Sequence, residues 1–288
     1  MKKFSIIILP VILSAVISVC GIVYTIQDSM VFRNVSDPQS RQFLQGRTGY
    51  SEITFTAGNG KTYNGMMYQA IDGKAPLVIY FGGNGEVSHI RLRNLEENTQ
   101  WKYYAGYHFI YMDYEGYGLN GGRTSQKSMY EESLAVFDYA ASLAIVDPGC
   151  IVSMGYSIGT GSAVYLAANR PVAALILAAP YSNGIDLYNN ILPIFYGPMQ
   201  LLVKHKLPSD KYALNVTCPV LVIASHKDEM VPFASTKRLS GLFSGPVEFI
   251  ELENERHNGL FRAEGVYDKI KVFLEKAAFS GGVKNISN

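Results

Sequence analysis

Apolar and polar positions along the chain fall into two regimes. From Phe4 to Ile26 the sequence is apolar and carries no charge; Ser5, Ser14, Ser18, Thr25 and Pro10 are its main interruptions. At about 1.5 Å per residue, a helix of that length spans a bilayer. From Ser51 onward, short apolar runs alternate with amphipathic stretches. Ser51–Thr56 and Tyr63–Ala70 flank Gly58-Asn59-Gly60, which predicts an antiparallel hairpin. Continuous apolar runs at Pro76–Phe81, Tyr107–Met112, Cys150–Met154, Val172–Leu177, Pro219–Ala224 and Val247–Leu252 suit strands buried on both faces. Between them, helices are predicted at His89–Tyr104, Ser128–Ala144, the small-residue stretch ending at Asn169, and Tyr267–Ala277. Residues 181–212, rich in Tyr, Leu and Pro, read as irregular.

Alternation of this kind predicts an α/β fold: a mostly parallel twisted sheet with helices on both faces, preceded by an N-terminal transmembrane helix. The organisation follows as a signal-anchor over 1–30, a connecting segment over 31–50, one domain over 51–279 and a tail over 280–288. Lys2 and Lys3 before the apolar run favour a cytoplasmic N-terminus, with the bulk of the chain on the other side of the membrane. A retained anchor is the favoured reading. A cleaved signal peptide, leaving a secreted or periplasmic protein, and a lipid attachment at Cys20 are the alternatives.

Composition removes several classes. The chain is 48% hydrophobic and 17% charged, too apolar for disorder. Its net charge of +1 gives no reason to expect nucleic-acid binding. Three cysteines exclude a disulfide scaffold and a four-cysteine zinc site, and Cys150 and Cys218 are expected to be unpaired.

Every polar cluster falls where a predicted parallel strand ends, the edge at which open α/β sheets bind ligands. Gly155-x-Ser157-x-Gly159 lies between a buried strand and a helix, a turn that pushes a serine hydroxyl into a cleft. A serine nucleophile needs a base that a carboxylate orients. In this topology the chain order is serine, acid, histidine. Asp228 follows one later strand and His257 the next, and His257 is the only histidine beyond Asp228. Asp186 is the alternative acid; Glu229 is expected to point the other way. Backbone N–H donors for an oxyanion would come from Ile158 and from Gly82-Gly83-Asn84-Gly85, through Asn84 or, second, Gly83. Reading Gly83-x-Gly85-x-x-Ser88 as a dinucleotide fingerprint fails for want of a third glycine and a suitably spaced acid.

These motifs resemble the α/β-hydrolase superfamily, in particular its membrane-anchored serine hydrolases with a single α/β-hydrolase domain. The resemblance rests on Leu77–Asn84, Asp113-Tyr-Glu-Gly-Tyr-Gly118, Gly155-Tyr-Ser-Ile-Gly159, Asp228–Pro232, Arg256-His257-Asn258 and Tyr24-x-x-Gln27-x-x-Met30. It implies Ser157 as nucleophile, His257 as base and Asp228 as acid, with no metal or organic cofactor. The family's usual His-Gly-Asn is Gly82-Gly83-Asn84 here, and loss of the imidazole ring is expected to loosen the oxyanion loop. Where the family has arginine this chain has Glu115, which is expected to reverse a charge near the cleft. In this fold residues 181–212 form the lid, and Tyr188, Leu192, Phe195 and Met199 are expected to receive an acyl chain. The resulting expectation is a hydrolase of acyl esters, thioesters or lipid-like esters, partnered with a membrane through its N-terminal helix. A peptidase of the same fold and a catalytically silent binding protein are the alternatives.

Overall fold

Eight of the expected apolar runs pair into one sheet in the computed structural model. It describes the backbone of residues 2–104 and 106–283; the side chains of 2–9, 12, 16, 30 and 279–283 are outside the description. The strands are β1 (Tyr50–Thr56), β2 (Thr62–Tyr68), β3 (Ala75–Phe81), β4 (His108–Met112), β5 (Val146–Tyr156), β6 (Ala174–Ala178), β7 (Val220–Ser225) and β8 (Val247–Leu252). Their spatial order is β1-β2-β4-β3-β5-β6-β7-β8. β1 and β2 form the expected hairpin, in register from Tyr50 opposite Tyr68 to Thr56 opposite Thr62. β2 meets β4 antiparallel, and every later pairing is parallel. Leu77, Val78, Ile79 and Tyr80 on β3 and Phe109, Ile110 and Tyr111 on β4 are completely buried, as continuous apolar runs require when both faces are covered.

Helices α3 (Ser88–Glu97), α4 (Gln126–Ser142), α5 (Gly159–Asn169) and α9 (Val266–Val283) follow strands as expected. The helix expected to reach Tyr104 stops at Glu97. Thr99 takes a positive φ of 52°, and a 3-10 turn over Gln100–Tyr104 follows. A left-handed residue cannot continue a right-handed helix. Residues 181–212 are more regular than their composition suggested. They hold α6 (Gly184–Ile191), a 3-10 turn at Gly197–Leu202 and α7 (Ser209–Ala213). The Asn183 side chain accepts the Asp186 N–H at 3.2 Å and so caps α6. One more helix, α8 (Phe233–Ser240), follows Pro232.

The connecting segment is also structured. Asp37 accepts N–H groups of Gln39 and Ser40 at 3.0 and 3.1 Å, starting α2 (Pro38–Leu44) and placing Leu44 in the core. Ahead of it, α1 spans Lys2–Val31. Among the described residues no helix is long and apolar enough to cross a membrane. Much of the expected span, residues 4–9, 12 and 16, has side chains outside the description, as do residues 280–288 of the expected tail. Val11, Leu13, Ile17, Val19 and Ile22 of α1 are exposed, whereas Gln27 is fully buried and Val31 and Phe32 belong to the core. The end of α1 is bonded into the domain. Gln27 donates to the Leu202 carbonyl and accepts the Lys204 N–H, both at 2.8 Å. Asp28 pairs with Lys204 at 2.6 Å and His205 at 2.8 Å.

Candidate active site

The turn that carries Ser157 is set by close packing where β5 runs into α5. Ser157 has a positive φ of 52°, a conformation unfavourable for any residue with a side chain. Its N–H donates to the Ala178 carbonyl at 2.9 Å and its carbonyl accepts the Thr160 N–H at 3.0 Å, which hold that strain in place. A Cβ at Gly159 would overlap the Phe81 carbonyl, so only glycine lets α5 start this close to β3. Ile158 immediately precedes α5, where first-turn N–H groups lack intrahelical partners.

Loops after β7 and β8 bring two more side chains to this turn. Ser157 Oγ lies 2.9 Å from His257 Nε2. His257 Nδ1 lies 2.9 and 2.8 Å from the two Asp228 carboxylate oxygens. Asp228 Oδ1 also accepts the Met230 and Val231 N–H groups at 2.9 and 2.8 Å. With Asp228 accepting, Nδ1 carries the ring proton and Nε2 is left to accept from the serine. Both the His257 and Asp228 side chains are more than nine-tenths buried, so this relay is shielded from water.

Two supporting roles, one of them that of Glu229, were not legible in the sequence. Tyr156 stacks its ring on His257 at 5.2 Å between centroids and donates to the His257 carbonyl at 3.1 Å. Glu229 accepts the His257 N–H at 3.0 Å and pairs with Arg256 at 3.0 Å. That N–H, ahead of the smaller effects, holds its carboxyl below the ordinary range. Glu229 therefore fixes the backbone of the histidine while Asp228 takes the ring. Asp186 is not near the ring; it bonds Ser235 and Arg238 instead.

The loop after β3 corrects one expectation. Lack of an imidazole at Gly82 does not leave the loop loose, because other groups fill the space. A Cβ at Gly82 would overlap the Tyr111 hydroxyl. Tyr111 donates to the Glu86 carbonyl at 2.7 Å, and Tyr114 donates to the Gly82 carbonyl at 3.2 Å. The Glu86 carboxylate accepts the Tyr80 hydroxyl at 2.9 Å and the Gly83 N–H at 3.0 Å. Asn84 Oδ1 accepts the Arg33 N–H at 2.7 Å and the Tyr117 hydroxyl at 3.0 Å. Tyrosines from β3, β4 and the loop after β4 thus replace a single imidazole. A Cβ at Gly83 would come within 3.6 Å of Ser157 Cβ, so the loop lies directly beside that serine.

Two other expectations are corrected, the second for two of its four residues. Glu115 does not line the cleft. It bonds Lys61 at 2.8 Å, and Lys61 also pairs with Glu131 on α4. Nor do the four lid residues face the cavity beside His257. Tyr188 and Phe195 are completely buried, edge to face at 5.4 Å, and Leu192 and Met199 are half-buried elsewhere. Packing the lid onto the domain consumes the surface of Tyr188 and Phe195, which therefore offer none to an acyl chain. The cavity that does adjoin His257 encloses about 440 Å³ and is bordered by the loop after β3, α3 and the residues after His257.

No protein-family model matches the chain. The uncharacterised protein Rv2307c of Mycobacterium tuberculosis is 30% identical over 211 residues, 73% of each chain. The α/β-hydrolase domain-containing protein aho-3 of Caenorhabditis elegans is 29% identical over 196 residues, covering 66% of this chain and 57% of its own length. Among solved structures, the Pyrococcus furiosus esterase Pf2001 superposes with a TM-score of 0.68 at 14% identity, over 85% of this chain and 98% of that one. Sheet order, the strained serine turn and these relatives converge, and the chain belongs to the α/β-hydrolase superfamily.

Proposed function

We propose that this chain is a serine hydrolase that cleaves carboxylic esters or thioesters through an acyl-enzyme. The observation that carries this reading is the unbroken contact from Ser157 Oγ to His257 Nε2 and from His257 Nδ1 to Asp228. His257 takes the serine proton as the hydroxyl attacks the carbonyl, and Asp228 stabilises the imidazolium that forms. The Ile158 and Asn84 N–H groups receive the oxyanion. Gly83 is the weaker candidate, because its N–H is already bonded to Glu86. His257 then gives its proton to the leaving group. Water repeats the sequence to release the acyl group, so the residues present suffice without a metal or organic cofactor.

A matched set of p-nitrophenyl esters, acetyl to octanoyl, and the corresponding anilides tests the reaction class. Esters are expected to turn over and anilides not. Turnover of anilides alone would make the protein a peptidase of the same fold. A rate that rises with chain length is expected if the acyl group is lipid-like; turnover confined to acetyl esters removes that part of the proposal.

We also propose that α1 anchors the protein in a membrane, with the domain on the non-cytoplasmic side. The exposed, uncharged apolar side chains along α1, together with Lys2 and Lys3 ahead of them, support this. The full chain is expected to stay with membranes through an alkaline carbonate wash, and a chain lacking residues 1–26 to be released. Release of the intact full-length chain by carbonate would refute the anchor; recovery of a shortened chain would point to signal cleavage.

A further inference from the structure

We infer that the cavity beside His257 receives the alcohol half of the ester and that this alcohol is a sugar. The inference rests on the serine hydrolase reading. A base that protonates the leaving oxygen must have the leaving group on its own side, and this cavity is bordered by His257 and the residues that follow it. The alcohol half therefore occupies it.

Two kinds of side chain form its walls. Asn94, Asn98, Gln100 and Asn258 line it, and a carboxamide presents both donors and an acceptor in one plane. Hydrogen bonds position several of these groups. Tyr267 donates to Gln100 Oε1 at 2.7 Å, Asn98 donates to the Asn94 carbonyl at 2.7 Å, and Arg262 donates to the Asn258 carbonyl at 3.1 Å. Tyr156, Phe261 and Tyr267 add aromatic wall, with the Phe261 and Tyr267 rings 27° from parallel. A sugar ring has the matching surfaces: vicinal hydroxyls around its rim, each donor and acceptor, and a C–H face that packs on aromatic carbon.

Two arginines, Arg91 and Arg262, and one carboxylate, Glu86, also line the cavity. The Arg91 guanidinium lies 3.8 Å from the Glu86 carboxylate and over the rings of Tyr80 and Phe261 at 4.8 and 4.7 Å. Its charge is already matched. A plain alkyl group would offer the carboxamides on these walls nothing to bond.

The test compares 6-O-octanoyl glucose with ethyl octanoate, so that the acyl chain is constant. The glucose ester is expected to have a kcat/KM at least about tenfold higher, since a site built for hydroxyls rejects analogues that lack them. Joint replacement Asn94→Ala and Gln100→Ala is expected to erase most of that preference, chiefly through KM. Labelling of Ser157 by a fluorophosphonate certifies that the variant is folded; if it does not label, Gln100→Met, which keeps the length of the side chain without its amide, takes its place. Equal turnover of the two esters, or equal slowing of both by the variant, overturns the inference. So does equal turnover of 1-octanoyl glycerol, which would mean the cavity reads hydroxyls without a ring. Preference for an octanoyl ester whose alcohol carries a carboxylate would replace the sugar with an anion. Labelled enzyme with no sugar preference defeats this inference alone, whereas absence of labelling in the folded wild type defeats the hydrolase reading beneath it.

Discussion

Ser157→Ala abolishes turnover: kcat is expected to fall by about 10,000-fold or more, with fluorophosphonate labelling lost entirely. The hydroxyl is the only group at the turn that can form the acyl bond, so nothing else in the relay can substitute for it. Asp228→Asn is expected to act nearly as strongly. An amide at that position can donate to Nδ1 and stabilise the wrong ring tautomer, leaving Nε2 unable to accept the serine proton. Stability is a separate readout. Alanine meets the same positive φ at 157 as serine, so thermal unfolding should be almost unchanged. Ser157→Gly, which relieves the strain, should be more stable by about 1 kcal/mol while remaining inactive. Residual labelling in Ser157→Ala would transfer the nucleophile to another residue and overturn the proposed mechanism.

A single methyl at residue 82 is expected to be the next most damaging change. A Cβ there overlaps the Tyr111 hydroxyl, and Tyr111 is completely buried on β4 with no direction in which to yield. Gly82→Ala should cost about 1–3 kcal/mol through overpacking. If the oxyanion donors shift with the loop, kcat should also fall by about 100-fold. Gly82→His, which restores the residue usual in the family, is expected to be worse, because its larger side chain needs the same space. Glu86→Ala tests the loop from its other side by removing the acceptor shared by Tyr80 and Gly83. It too should lower kcat more than it raises KM. Wild-type activity in both Gly82→Ala and Glu86→Ala would mean that the loop contributes no donor to the transition state. Circular dichroism melts alongside steady-state kinetics separate the loss of fold from the loss of geometry.

Glycine at 82 illustrates how the reach of the sequence ends. In one dimension it is a missing histidine. In three dimensions it is the space that Tyr111, 29 residues away on a neighbouring strand, requires. Glu115 shows the same limit. Its charge was apparent, but its partner Lys61 lies on the far side of a hairpin turn that only sheet pairing brings within 2.8 Å. For Tyr188 and Phe195 the apolar signal was correct and its interpretation was not, because apolar residues under a lid and apolar residues lining a pocket have the same composition. Asp186 and Asp228 likewise could not be separated by chain order alone. What separates them is that Asp228 meets the His257 ring whereas Asp186 bonds Ser235 and Arg238.

The chain by itself determined the strand runs, the hairpin, the alternation that makes an α/β sheet and the serine turn between strand and helix. Each of these is encoded within a few consecutive residues, by burial on both faces or by the backbone freedom of glycine. Its order of serine, acid and histidine further nominated the three residues that meet. Only the tertiary structure decided which acid reaches the ring, what holds the oxyanion loop and which residues wall the cavity. Those walls come from residues 83–100, 156 and 257–267, segments that sheet pairing alone brings to one edge. Contacts between distant segments depend on packed volume and hydrogen-bond geometry, and neither leaves a periodic trace along the chain.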